Sequence, residues 1–234
     1  MGRLRRPFGN LSVIILKKKM GLRPILILQG FKDYTCYIII KMTFTHQKYV
    51  VVHNVLSTET ISLLQYQSKM LEDVMCYNNN TLPQLFTFGD IQSPNSFAYY
   101  GALFTESLLL VLQPVIEAHV GVELFPTYSY MRIYYKDAIL ARHTDRLSCE
   151  YSATLCIQCD KENPWPISFH SNGLDVPLVL NAGDLCIYKG DELPHWRDKC
   201  SYDNHIQIFL HFVGKNGPFS DFKFDKRPKL GIHL

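Results

Sequence analysis

The chain has 234 residues, 47% of them hydrophobic and 19% charged, with a formal net charge of +3. This is the composition of a packed chain, long enough to fold without disulfide staples, and it excludes a disordered segment. No run of about 20 apolar residues occurs, so a membrane-spanning helix is not expected.

The first 45 residues read as a basic extension. Residues 1–48 hold ten Lys/Arg and one acid, whereas the rest hold 14 Lys/Arg and 20 Asp/Glu. The apolar core after Arg3, Arg5 and Arg6 is too short for a secretory signal and ends in Lys17, Lys18 and Lys19. Three readings stand: a disordered basic arm, an extra pair of strands, or non-native upstream sequence with the true start near Met42. The last is preferred, because folded-domain patterning begins just after Met42. The acidic remainder argues against a nucleic-acid partner. Seven cysteines, an odd number, point to a reducing compartment, so the cytoplasm is expected. Cys156 and Cys159 lack a second pair at zinc spacing and read as buried thiols.

From there the elements follow in order. A strand is expected over 49–53. Ser57 caps a helix over 58–74 that carries Ile61, Leu64 and Leu71. Asn78, Asn79 and Asn80 break the chain. Ser96 is expected to cap a second helix from Phe97, bearing Leu103, Leu110 and Val111 and disturbed at Pro114. Strands are expected over 128–135, 138–141, 151–158, 167–170, 177–180, 184–188 and 206–213. Two helices followed by many short strands make an α+β protein whose β half is a double-sheet roll. A single domain over 46–216 with a C-terminal tail over 217–234 is expected.

The chemistry-bearing segment is Leu140-Ala141-Arg142-His143-Thr144-Asp145-Arg146. Residues two apart on a strand face the same way, so His143 and Asp145 aim an imidazole and a carboxylate at one point. A further imidazole follows in Leu193-Pro194-His195-Trp196, after a strand led by Gly183-Asp184. Two histidines and a carboxylate without thiolate suit Fe(II) with open positions. Nine histidines also make a chance His-x-Asp pair common.

The segment 124–212 resembles the 2-oxoglutarate- and Fe(II)-dependent oxygenases, in their prolyl-hydroxylase-like branch. The matching stretches are Tyr128-Ser129-Tyr130-Met131-Arg132-Ile133-Tyr134-Tyr135, His143-Thr144-Asp145, Gly183-Asp184 through His195-Trp196-Arg197, and Gln207-Ile208-Phe209-Leu210-His211-Phe212. The resemblance implies a double-stranded β-helix, or jelly roll, supported by the N-terminal helices. It implies catalytic and metal-binding roles for His143, Asp145 and His195. It also implies use of Fe(II), 2-oxoglutarate and O2, with ascorbate optional, to hydroxylate a peptide, amino acid or other small molecule. Tyr134 stands where relatives place a tyrosine that bonds the cosubstrate, and Arg132 shares its strand face; a core tyrosine is the alternative.

The chain departs from the family where relatives carry Lys or Arg on the last strand. It has Asn204, His205, Ile206 and Gln207 there. Arg197 is the expected carboxylate anchor, with His205 and Gln207 behind it. Arg142 and Arg146 are expected to point away from the ligands or to the rim as solvated surface; the alternative is that Arg146, with Ser148 and Glu150, touches substrate at the mouth. Trp165 either packs under the sheet or lines a substrate groove, and Trp196 packs to fix His195. Loops over 158–166 and 170–176 are expected to shape the substrate site. The alternatives are a non-catalytic metal-binding jelly roll and, further off, a nucleobase-demethylating oxygenase.

Overall fold

The computed structural model of the chain describes residues 44–77 and 85–233, with the backbone of two short strands, β1 (Ser12–Ile14) and β2 (Ile27–Gln29). These two pair antiparallel. The other expectations for residues 1–43, and the Asn78–Asn80 break, lie outside the described residues.

Strand β3 (Tyr49–Val52) leads into helix α1 (Thr58–Tyr77). The Ser57 hydroxyl accepts the Thr60 amide at 3.3 Å, so the expected cap is made. Strands β4 (Phe86–Phe88) and β5 (Ser96–Tyr100) precede helix α2 (Leu103–Val120). The second helix therefore starts later than expected. Residues 96–100 instead pair along β6 (Leu124–Tyr134), Ser96 opposite Tyr134 and Tyr100 opposite Tyr130. Two flanking strands to pair with outweigh a local helical pattern. Pro114 does not end α2. It lies on the exposed side with Leu110 and Val111, where water can serve the carbonyl that a proline leaves unbonded. Gly121, at φ 75°, closes the helix by giving its amide to the Glu117 carbonyl.

The remaining strands are β7 (Leu140–His143), β8 (Tyr151–Gln158), β9 (Ile167–Ser171), β10 (Leu174–Leu178), β11 (Leu185–Tyr188), β12 (His195–Arg197) and β13 (His205–Gly214). Beyond the β1–β2 pair, they form two antiparallel sheets. The larger runs β3-β11-β8-β13-β6-β5-β4 and the smaller β10-β9-β12-β7. Residues 170–176, expected as a loop, are a tight hairpin. Asn172 (φ 51°) and Gly173 (φ 78°) make its two-residue turn, a conformation most side chains resist.

The sheets pack through Cys156, Cys186 and Tyr188 of the larger against Ile167 and Phe169 of the smaller. On the far side of the larger sheet, Leu109, Leu112 and Ile116 of α2 share a core with Met131, Ile133, Ile206, Ile208 and Leu210. Full burial of each such side chain stabilises by roughly 1.5–3 kcal/mol. The strands thus alternate, with aliphatic residues beneath the helices and Arg132, Tyr134, Thr154, His205 and Gln207 facing the other way into the roll. By length and mean hydropathy α2 could cross a membrane, contrary to the expectation from run length; a third of it is buried in this fold.

The C-terminal residues wrap back onto α2. Arg227, 9% exposed, donates to Glu106 of α2 at 2.5 Å, and the Gly231 amide bonds the same carboxylate.

The six described cysteines are free. Cys156 is buried, but Cys159 is half-buried, and a hydrogen bond from the Cys156 thiol holds the Cys159 thiol below its usual range. Cys76 is exposed, with its thiol pushed up by partial burial and by Glu72. Iodoacetamide at pH 7 should therefore alkylate Cys159 before Cys76, since the thiolate is the nucleophile; peptide mapping of labelled protein checks the order.

Candidate active site

His143 ends β7 and His195 opens β12, and the two are directly paired across the strands. Their ring centroids are 4.3 Å apart. Asp145 follows β7 and is held by its amide to the Gly190 carbonyl at 2.8 Å. Its Oδ1 lies 3.5 Å from His143 Nε2 and 3.6 Å from His195 Nε2. One ligand atom from each residue falls within 4.8 Å of the other two, a group able to hold a metal ion.

The neighbours fix how these groups point. His143 Nδ1 bonds the Ala141 carbonyl at 2.7 Å and His195 Nδ1 the Leu193 carbonyl at 2.9 Å. A carbonyl only accepts, so both protons sit on Nδ1 and both Nε2 lone pairs face the centre. Ser152 donates to Asp145 Oδ2 at 2.8 Å, and its oxygen lies 2.9 Å from His211 Nδ1. A hydroxyl has one proton, so His211 donates to Ser152. Burial alone would raise the Asp145 carboxyl, but before a metal binds a proton taken up on His143 Nε2, the charge the neighbouring imidazoles can carry and the Ser152 hydroxyl together hold it below the carboxylate range. Burial pushes His211 down to about 4.

Gly190 sits against this group. A Cβ there would meet Asp145 Oδ2 and Ser152 Oγ at 2.4 Å and the Cys149 carbonyl at 2.5 Å. Ser152, His211 and Gly190 were not singled out from sequence. The alternation of His205, Gln207, Phe209 and His211 along β13 was the available signal for His211.

Deeper in the roll, five residues expected to hold the cosubstrate come near one another, in different states. Arg132 is committed, donating to Asp90 at 2.6 Å and Ser96 at 2.9 Å. His205 and Gln207 satisfy each other at 2.8 Å. His205 also bonds Tyr202 at 2.7 Å, and Gln207 accepts from Thr154 at 2.8 Å. Arg197, 2% exposed, gives one Nη1 hydrogen bond to the Trp165 carbonyl at 2.6 Å. Its Nε and Nη2 have no partner, and neither does the Tyr134 hydroxyl. Burial lowers the Arg197 pKa, and no carboxylate stands within ion-pair distance among the described residues. A buried guanidinium with two idle donors is a costly arrangement without an anion.

Trp165 is buried within this region, its ring 5.0 Å from Tyr134 and 4.9 Å from the Arg197 guanidinium. Trp196 carries Arg142 over its ring at 4.4 Å. Ser148 and Glu150 are buried, with Glu150 bonded to Lys189 and the Gly214 amide, so neither reaches the mouth. Arg146 does lie there, over the Tyr128 ring at 4.4 Å. A cavity of about 260 Å³ runs beside the triad and is walled by Tyr100, Tyr128, Tyr130, Tyr134, Phe209 and His211, with Arg132, Asp90 and Arg146.

The sequence matches no protein-family model and no curated protein. Solved structures do share the fold. The non-heme alpha-ketoglutarate-dependent epimerase SnoN, from nogalamycin biosynthesis, superposes with a TM-score of 0.65 at 12% identity, covering 86% of this chain and 93% of its own; that structure holds Fe3+, alpha-ketoglutarate and nogalamycin RO. A prolyl-4-hydroxylase from Pseudomonas putida gives 0.55 at 12%, covering 75% and 97%. AviO1 from Streptomyces viridochromogenes gives 0.61 at 15%, covering 81% and 99%. The chain therefore has the fold of the 2-oxoglutarate- and Fe(II)-dependent oxygenases.

Proposed function

We propose that this protein is an Fe(II)- and 2-oxoglutarate-dependent oxygenase that oxidises a C–H bond of a small-molecule substrate, hydroxylation being the simplest outcome. The observation that carries this reading is the pair of idle buried donors, Arg197 and Tyr134, in the same roll as a two-histidine, one-carboxylate cluster. The strand order fits a double-stranded β-helix, with β6, β8, β11 and β13 facing β7, β9, β10 and β12.

The residues fit an iron ion and its keto-acid cosubstrate. His143, Asp145 and His195 would hold the iron, a nitrogen-and-oxygen set suited to Fe(II). Ser152 and His211 keep Asp145 turned toward it. Arg197 and Tyr134 would bind the far carboxylate of 2-oxoglutarate, a bidentate match for a guanidinium. Trp165 closes that end against water. His205 and Gln207, already bonded to each other, buttress the wall. When bound, iron and cosubstrate supply the coupled decarboxylation to succinate and CO2 and the oxidation of substrate by O2. A fold shared with an epimerase leaves the outcome at the C–H bond to the substrate's placement.

The lack of a Lys or Arg on β13 favours a non-catalytic binder, but Arg197 on β12 would serve as that cation. Among the described residues the cysteines are free and mostly buried, which supports a cytoplasmic location. Anaerobic Fe(II) followed by 2-oxoglutarate should give a weak visible charge-transfer band, and O2 should then release succinate. Protein that takes up neither the ion nor the keto acid would overturn the reading.

A further inference from the structure

Two residues that line the cavity beside the triad, Tyr100 and Arg146, are held from behind by the C-terminal segment. Asp225 Oδ2 accepts from Arg146 Nη2 and from the Tyr100 hydroxyl, both at 2.7 Å. Tyr100 stacks on Tyr128 at 5.0 Å, and Arg146 covers Tyr128 at 4.4 Å. Asp225 sits between Phe224 and Lys226, and all three have positive φ, at 54°, 55° and 62°. Three successive non-glycine residues in that region are strained by roughly 1–2 kcal/mol each, so surrounding contacts must hold them there. The Arg227–Glu106 bond anchors one side of the segment, and Asp225 fastens the other to the cavity.

Charges around the cavity are therefore matched. Asp90 neutralises Arg132, and Asp225 neutralises Arg146. On the oxygenase reading, which this inference rests on, Fe(II) and Arg197 together balance Asp145 and the dianionic cosubstrate. A charged substrate would enter with no free counter-ion, whereas an uncharged ring finds a wall of tyrosines. We propose that Asp225 is the residue that sets charge selectivity here: by neutralising Arg146 it shapes the cavity for an uncharged, ring-bearing substrate and against anionic ones.

Three matched probes test this: 4-hydroxybenzyl alcohol, 4-hydroxybenzoate and tyramine, titrated calorimetrically into anaerobic protein loaded with Fe(II) and 2-oxoglutarate. Uptake of the ion and the keto acid is measured first. If that uptake fails, both readings fall; if it succeeds, the probes judge the present one alone. The alcohol should bind about tenfold tighter than either charged probe. Asp225→Asn should raise benzoate affinity about tenfold and leave the alcohol little changed, because Arg146 is then free. Arg146→Gln should instead favour tyramine, an independent check if the first variant folds poorly. A merely structural Asp225 would weaken all three probes together. That result, equal or tighter binding of benzoate by the unmodified protein, or binding of none of the three, overturns the proposal.

Discussion

Gly190→Ala should empty the metal site as thoroughly as Asp145→Ala, although residue 190 offers no ligand. The added methyl would stand 2.4 Å from the Asp145 carboxylate and 2.4 Å from Ser152, and 2.5 Å from the backbone carbonyl of Cys149. No rotation of a flexible tip relieves all three contacts. The carboxylate must swing, and its Oδ1 then leaves the point that both Nε2 atoms face. Disturbing groups around a metal ligand lowers affinity by about 10–100-fold, and displacing the ligand itself does more. Isothermal titration with Fe(II) or Mn(II) under argon checks this, with circular dichroism as the control for folding. Metal affinity within a factor of three of the unmodified protein would show that the loop around Gly190 yields freely.

Arg197→Met should have opposite effects on stability and binding. In the ligand-free protein the guanidinium is buried with two idle donors, so an apolar side chain of similar length should raise stability by about 1–3 kcal/mol. The same change removes the cation for the far carboxylate, at a loss of about 2–4 kcal/mol of binding, or about 30–1,000-fold in 2-oxoglutarate affinity. The unmodified protein should therefore melt at a higher temperature when saturating 2-oxoglutarate and Mn(II) are added together, whereas the variant should gain little from the keto acid. Thermal melts with metal alone and with both ligands separate the two effects. An unchanged 2-oxoglutarate response in Arg197→Met would move the anchor elsewhere, with His205 and Gln207 next in place.

The triad was legible because its signal is local: His143 and Asp145 are two apart, and His195 follows a Gly-Asp-led strand. The alternation of β6, β8 and β13 was legible for the same reason, each pairing an aliphatic face with a polar one. Ranking Arg197 first among the cosubstrate candidates rests on the match of a guanidinium to a carboxylate, which Arg132 shares. Arg132 and Arg197 both lie on inward faces, and what separates them is Asp90, a loop residue 42 positions before Arg132 that folds back to occupy it. Gly190 escaped notice likewise, since its neighbour Asp145 is remote in sequence. The late start of α2 reflects competition: residues 96–100 carry a helix-compatible pattern, yet β6 offers them a full ladder of hydrogen bonds. The 172–173 hairpin is different, because Asn-Gly between apolar stretches is a local signal and was open to reading.

Strand β12 is three residues long and clamped by β7 and β9 through His195. It begins with His195 and ends with Arg197, so the two points that would grip the cosubstrate lie on one short, braced piece of backbone. Such a piece works as a calliper. Its jaws spring from one stretch of backbone and not from separate flexible loops, so a keto diacid one carbon shorter or longer than 2-oxoglutarate should bind less tightly.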